Sequence, residues 1–257
     1  VLSSSGTDLT IYAASVTSGD AGIDARSQGQ GILSVITSGA ISGGTDAAIR
    51  TISNAGSAVA ITLRSTSNVR SSSGVAIVDG DGDAVITIGA GAVVNGSISL
   101  GDGNDTLNIA AGASLAGVTA LDGGSGSFVD TLNLNAGVAG AISDWEAINV
   151  NASGGDFTIS GTISGAGTLT KTGAGAVTLA GVNSFSGGTT ITSGTLIGSS
   201  RSFGTGAIVN NASLVIDEAT DTSFTNLISG TGSLTKTGSG AVTLTAINSF
   251  SGGTTIS

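Results

Sequence analysis

The residues of this 257-residue chain best suited to chemistry are carboxylates beside glycines. Segments 79–83 (DGDGD), 101–108 (GDGNDTLN) and 123–132 (GGSGSFVDTL) each put Asp into a glycine turn. Asp79, Asp81, Asp83, Asp102 and Asp105 are candidate calcium ligands, because Ca²⁺ takes roughly six to eight oxygens and accepts carboxylates and turn carbonyls alike. Gly80, Gly101 and Gly124 recur at nearly even spacing. The competing reading is therefore one aligned Asp-Gly corner whose Asp side chains bond the local backbone. Were Asp81, Asp102 and Asp122 to stack there, a cation would relieve their repulsion.

Two acidic pairs have the residue types for glycoside hydrolysis: Asp144 with Glu146, flanking Trp145, and Asp217 with Glu218. Trp145 could stack on a sugar face, or cap a core beside a solvated turn. The seven basic residues, Arg26, Arg50, Arg64, Arg70, Lys171, Arg201 and Lys236, form no cluster with acids along the sequence. No residue is assigned a catalytic or cofactor role, and the chain is expected not to be an enzyme.

Composition removes other classes. The chain has no His, Cys, Met or Pro. It therefore has no imidazole base, no thiol nucleophile, no disulfide and no His or Cys metal ligand. A net charge of −10 argues against nucleic acid, whose phosphates need clustered Lys and Arg. Mean hydropathy is +0.42, yet apolar runs such as 75–78 stop far short of the roughly 20 residues a membrane span needs. Residues 1–10 lack the basic start and apolar core of a secretory signal, so the chain is expected to be a piece of a longer protein.

These residues need a scaffold, and an internal repeat supplies it. Segments 163–192 (ISGAGTLTKTGAGAVTLAGVNSFSGGTTIT) and 228–257 (ISGTGSLTKTGSGAVTLTAINSFSGGTTIS) match at 23 of 30 positions. Self-similarity at a fixed period signals a solenoid or array. Leu169, Val177, Leu179 and Ile191 are expected to face inward. Thr168, Thr170, Thr178, Thr190 and Thr192 should face outward, following the period of two of a strand. The Thr pairs are too irregular for an ice-binding face.

Glycine runs mark corners, giving coils of about 20 residues or a little more and setting the two copies about three coils apart. Lys171 and Lys236 then read as structural corners, and Phe185 and Phe250 as stacked core or cap aromatics. Short β-branched runs recur in the same style from 31 to 134, and almost no helix is expected. The expectation is one continuous all-β domain over 1–257, loosely repeated in 1–160: a parallel β-helix of about ten coils, rising about 4.8 Å per coil.

The repeat resembles the passenger-associated transport repeat of bacterial autotransporter passengers, G-x-G-x-L-x-K-x-G-x-G-x-x-x-L…N-x-F-x-G-x-T-x-I. One copy matches through Gly165, Gly167, Leu169, Lys171, Gly173, Gly175, Leu179, Asn183, Phe185, Gly187, Thr189 and Ile191. The other matches through Gly230, Gly232, Leu234, Lys236, Gly238, Gly240, Leu244, Asn248, Phe250, Gly252, Thr254 and Ile256. Segments 105–109 (DTLNI), 130–134 (DTLNL) and 142–161 resemble autotransporter strands more loosely.

The resemblance implies a right-handed β-helix exported to the outer-membrane surface and extracellular space of a Gram-negative bacterium. It also implies a translocator barrel C-terminal to the chain in the full-length protein. On this view the chain is a rigid stalk and export-coupled folding unit of an adhesin or self-associating surface protein. Its partners would be host surface or matrix molecules, or other copies of itself. Segment 101–108 also resembles a half-site of RTX calcium β-rolls, so a calcium-stabilised binding solenoid is the alternative, and a polysaccharide-acting β-helix enzyme a more distant one.

Overall fold

The computed structural model describes residues 2–4, 8–27, 29, 31–53 and 57–257. Contacts divide the chain into two compact units, Val1–Trp145 and Glu146–Ser257. Every described strand pairing is parallel, and no helix occurs among the described residues. Parallel in-register pairing follows from the sequence. Short β-branched runs form strands, and glycines let the chain turn a corner and lie on itself one coil later.

In the first unit one sheet contains Leu9–Ala13, Leu33–Thr37, Val59–Leu63, Ala84–Ile88, Thr106–Ile109 and Thr131–Leu134 in that order. The other runs from Leu2–Ser4 through Ile23–Ser27, Ile49–Ile52, Asn68–Val78, Val93–Ser99 and Ser114–Asp122 to Ala141–Ser143. Ala40–Gly43 sits beside Val16–Thr17 and Asn68–Val78. Alternation sends Val35, Ile61, Ile86, Leu107 and Leu132 into the core from the first sheet, and Ile49, Val69, Val94, Ile98 and Leu121 from the second. Each such side chain contributes about 1.5–3 kcal/mol by leaving water.

The second unit has one side built from Ala147–Asn151, Thr168–Thr172, Thr189–Ile191, Ile208–Asn210 and Ile228–Ser229. Another side is built from Phe157–Ile159, Ala176–Leu179, Thr195–Gly198, Ser213–Asp217, Ser233–Thr237 and Thr254–Ile256. Thr222–Phe224 pairs with Val242–Leu244. Leu169, Val177, Leu179 and Ile191 are buried, as their alternation predicts. Phe203 meets Phe224 edge to face at 6.0 Å between ring centres.

The parallel strands stack as a β-solenoid of about twelve turns, where the sequence suggested about ten. Coil length explains the difference. In the first unit one turn carries the chain from Val59 to its register partner Ala84, and from Thr106 to Thr131. Other turns are several residues shorter: Val85 pairs with Thr106, Ala147 with Thr168, Leu169 with Thr189, Thr189 with Ile208 and Ile208 with Ile228.

Candidate functional site

In the first unit the Asp-Gly segments are the corners between the two sheets. Val78 pairs with Ser99, and Ser99 with Asp122. The next residues, Asp79 and Leu100, both turn inward, 5% and 2% exposed. Gly80, Gly101 and Gly124 follow in a column so tight that a Cβ on Gly101 would strike the Gly80 carbonyl, and one on Gly124 the Gly101 carbonyl. Gly82 N–H donates to the Asp102 carbonyl at 2.6 Å, which sets Asp81 and Asp102 on adjacent rungs.

The third carboxylate of that column is missing. Ser125 stands there, 3.4 Å from Asp102, while Asp122 lies back on its strand between Ser99 and Ser143. Asp79, Asp81, Asp102, Asp122 and Asp144 nevertheless line one cavity of about 370 Å³. Asp83 turns aside to accept the Asn104 N–H at 2.9 Å.

Two further carboxyls lie inside the stack. Asp105 accepts the Ala84 N–H at 2.7 Å, and Asp130 accepts the Asp105 N–H at 2.8 Å. Asp79 accepts the Thr51 hydroxyl. One oxygen of Asp79 and one of Asp105 (Oδ2 in each) have no partner. Burial pushes the Asp79 carboxyl up to about 6, against hydrogen bonds from Thr51 and the Gly80 N–H and with help from the Asp81 charge. Burial pushes Asp105 up to about 7, against the Ala84 N–H, and the charges of Asp130, Asp79 and Asp83 add to the rise. Among the described residues no three acidic side chains are placed to hold a metal ion by themselves.

The members of the two acidic pairs have different surroundings. Trp145 is fully buried and its indole N–H donates to the Leu121 carbonyl at 3.1 Å, so its ring is closed to a sugar. Asp144 is exposed in left-handed backbone with φ 59°. Asp217 accepts the Thr237 hydroxyl at 2.8 Å, whereas Glu218 turns the other way and accepts the Ser200 N–H. Two of the basic residues, Arg26 and Arg50, find acids in space. Asp24 holds Arg26 at 3.0 Å and Arg50 at 2.8 Å, and Arg50 also reaches Asp46 at 2.5 Å. The two guanidinium groups hold the Asp24 carboxyl below the usual carboxylate range. This network was invisible in sequence because Asp24 and Arg50 are brought together only when their strands pair in register.

The repeat lysines share a second geometry. Lys171 follows the inward alternation of Leu169 and is fully buried. Its ammonium donates to the carbonyls of Thr172 (2.8 Å), Gly173 (2.9 Å) and Ser193 (3.0 Å), using all three protons. Burial lowers its pKa, opposed by Asp156. Lys236 likewise donates to Thr237 (2.6 Å), Gly238 (2.8 Å) and, more weakly, Glu218 (3.4 Å). Asn183 and Asn248 are also matched, accepting the N–H groups of Ile163 and Ile228 at 2.8 Å each.

The family model of the passenger-associated transport repeat matches residues 169–197 and 234–257. These two stretches are passenger-associated transport repeats. Such repeats are found in autotransporter passenger domains. No curated protein and no solved structure matches the chain.

The two transport repeats do not stack on each other. Leu169 lies on the side containing Ala147–Asn151, where it pairs with Ile148, whereas Leu234 lies on the other side, pairing with Leu214. Three turns of pairing carry Leu169 through Thr189 and Ile208 only as far as Ile228. Its repeat equivalent, Leu234, comes one strand and corner later. Lys171 and Lys236 are therefore equivalent corners on different sides, and Phe185 and Phe250 form no common column. Phe185 is fully buried and Phe250 half-buried.

Outside the core, the sheet beginning with Leu9–Ala13 carries outward columns without charge. Tyr12, Ile36, Thr62, Thr87, Asn108 and Asn133 lie in register, and Asn133 donates to Asn108 at 2.8 Å. In the second unit Asn149, Thr170, Thr190, Val209 and Ser229 form a like column.

Proposed function

We propose that this chain is a non-enzymatic segment of an autotransporter passenger, displayed outside the cell as a spacer whose coil-by-coil folding helps draw the protein outward. The supporting observation is that two transport repeats build the same lysine corner on different sides of the second unit. A module that works on any side needs only the coil before it as template. Nearest-neighbour growth of that kind suits a chain that emerges one end at a time.

The charge-free outward columns support the accompanying reading that the whole protein joins copies of itself or adheres to host surface molecules. A chain of net charge −10 meets its copy at least cost where no carboxylate must be desolvated.

Deleting 163–192 from the full-length protein tests the export reading. Surface display, measured as protease-accessible passenger on intact cells, is expected to fall several-fold while synthesis is unchanged. Undiminished display would overturn it.

A further inference from the structure

The corners that join the two sheets of the first unit are not all alike. The path from Val78 to Val85 is as long as that from Ser99 to Thr106 one coil later. Between their partners Asp122 and Thr131 the chain is two residues longer. The surplus has no place in the stack, and residues 125–129 stand out from it, all exposed. The end of this loop is apolar on an edge otherwise built of Asp, Gly and Ser: Phe128 is 40% and Val129 60% exposed.

Little holds the loop. No hydrogen bond to the described residues fixes the backbone of Gly126, Ser127 or Phe128. The Val129 N–H donates to the Asn104 side-chain carbonyl at 3.0 Å, which acts as a clasp. Immediately beyond, the chain is locked again. Asp130 is buried and its carboxyl accepts the Asp105 N–H at 2.8 Å, while the Thr131 N–H donates to the Asp105 carbonyl at 2.8 Å.

Exposed loops of small polar residues are where folded chains are nicked. A protease with an apolar slot for the side chain before the scissile bond takes Phe there. The other aromatic residues are protected. Tyr12 and Phe157 lie in paired strands, and Phe250 is flanked by the N–H groups of Ser249 and Ser251, bonded to the carbonyls of Ile228 and Gly230. Trp145 and the remaining phenylalanines are buried.

We propose that the Phe128–Val129 bond is a processing site for an endoprotease of chymotrypsin-type specificity, and that the cut protein remains one solenoid. Water supplies the hydrolysis. Its oxygen bonds to the Phe128 carbonyl carbon as the C–N bond breaks, and its protons end on the nitrogen, leaving a carboxylate on Phe128 and an ammonium group on Val129. The pieces stay joined because Thr106–Ile109 pairs with Thr131–Leu134 and Ser114–Asp122 with Ala141–Ser143. Leu107, Leu121, Leu132 and Ile142 of these strands are all buried. The site stands independently of the export reading.

Chymotrypsin itself provides the test. Brief digestion of the folded chain is expected to give two fragments in denaturing electrophoresis, the second beginning at Val129. In native chromatography they should elute together at the size of the uncut protein. Phe128→Ala, shown to be folded by circular dichroism, should slow the cut about tenfold or more, because the apolar slot is left empty. Asn104→Ala opens the clasp and should speed it severalfold. Resistance to digestion, a first cut at another bond, an undiminished rate in Phe128→Ala, an unchanged rate in Asn104→Ala, or fragments that part in native buffer would each overturn the proposal.

Discussion

Lys171 is a buried charge with three carbonyl partners and no hydrogen-bonded acid. Lys171→Met keeps the stem's packing and removes the donors, leaving the carbonyls of Thr172, Gly173 and Ser193 with bare lone pairs. The expected loss is about 2–4 kcal/mol in chemical denaturation. Lys236→Met should lose less than half as much, because that ammonium is half-exposed and water can replace it. Equal losses would show that the ammonium–carbonyl bonds are not what matters. The sequence marks both lysines through the motif, but their acceptors are backbone atoms of the corner, which no residue type announces.

Asp105 obeys a parity that could have been read. It stands two residues before Leu107 and four before Ile109, hence on the inward face of its strand, as Asp130 does before Leu132 and Leu134. Its carboxyl is held at about 7 against 3.8 for an ordinary Asp. Between those values the folded protein keeps a proton that the unfolded chain has released, so stability falls as pH rises from about 4 to about 7. Denaturation in EDTA, followed by Trp145 fluorescence, should show the first unit less stable at pH 8 than at pH 5. Asp105→Asn should flatten most of that slope. Asp79 contributes a smaller part with the same sign.

At the scale of elements, the strands were legible and their sides were not. Alternation identified Val177, Leu179 and Ile191 as core, because a period of two is a property of each strand alone. Which side a strand joins depends on coil length summed over several corners. A small error in the length of each coil grows to a whole strand between one transport repeat and the next. The two repeats turn this into a measurement, since Leu179 is buried and its equivalent Leu244 is half-exposed on a different side. Leu179→Ala is expected to cost about 2–5 kcal/mol and Leu244→Ala clearly less. Equal losses would mean that local sequence, nearly identical in the two copies, rather than packing sets the energy.

For the whole molecule, charge decides how copies meet. At −10, two chains repel through solvent, and the Debye length of about 10 Å at 0.1 M salt confines that repulsion to close approach. The outward columns at Thr62, Thr87 and Asn108 bring no charge of their own into contact. If copies join there, association should strengthen as salt rises from about 0.02 M to about 0.2 M, a range over which the screening length shortens severalfold. Sedimentation of cells displaying the full-length protein, and light scattering by the purified chain, should both rise over that range. Thr87→Glu with Asn108→Glu places two carboxylates on each face, and each would have to be desolvated against its own copy. That variant should abolish association at every salt while leaving surface display intact, because neither side chain faces the core. Association that weakens with salt, or that survives both substitutions, would move the contact to another surface. It would also leave the charge-free columns as the solvent face of a spacer.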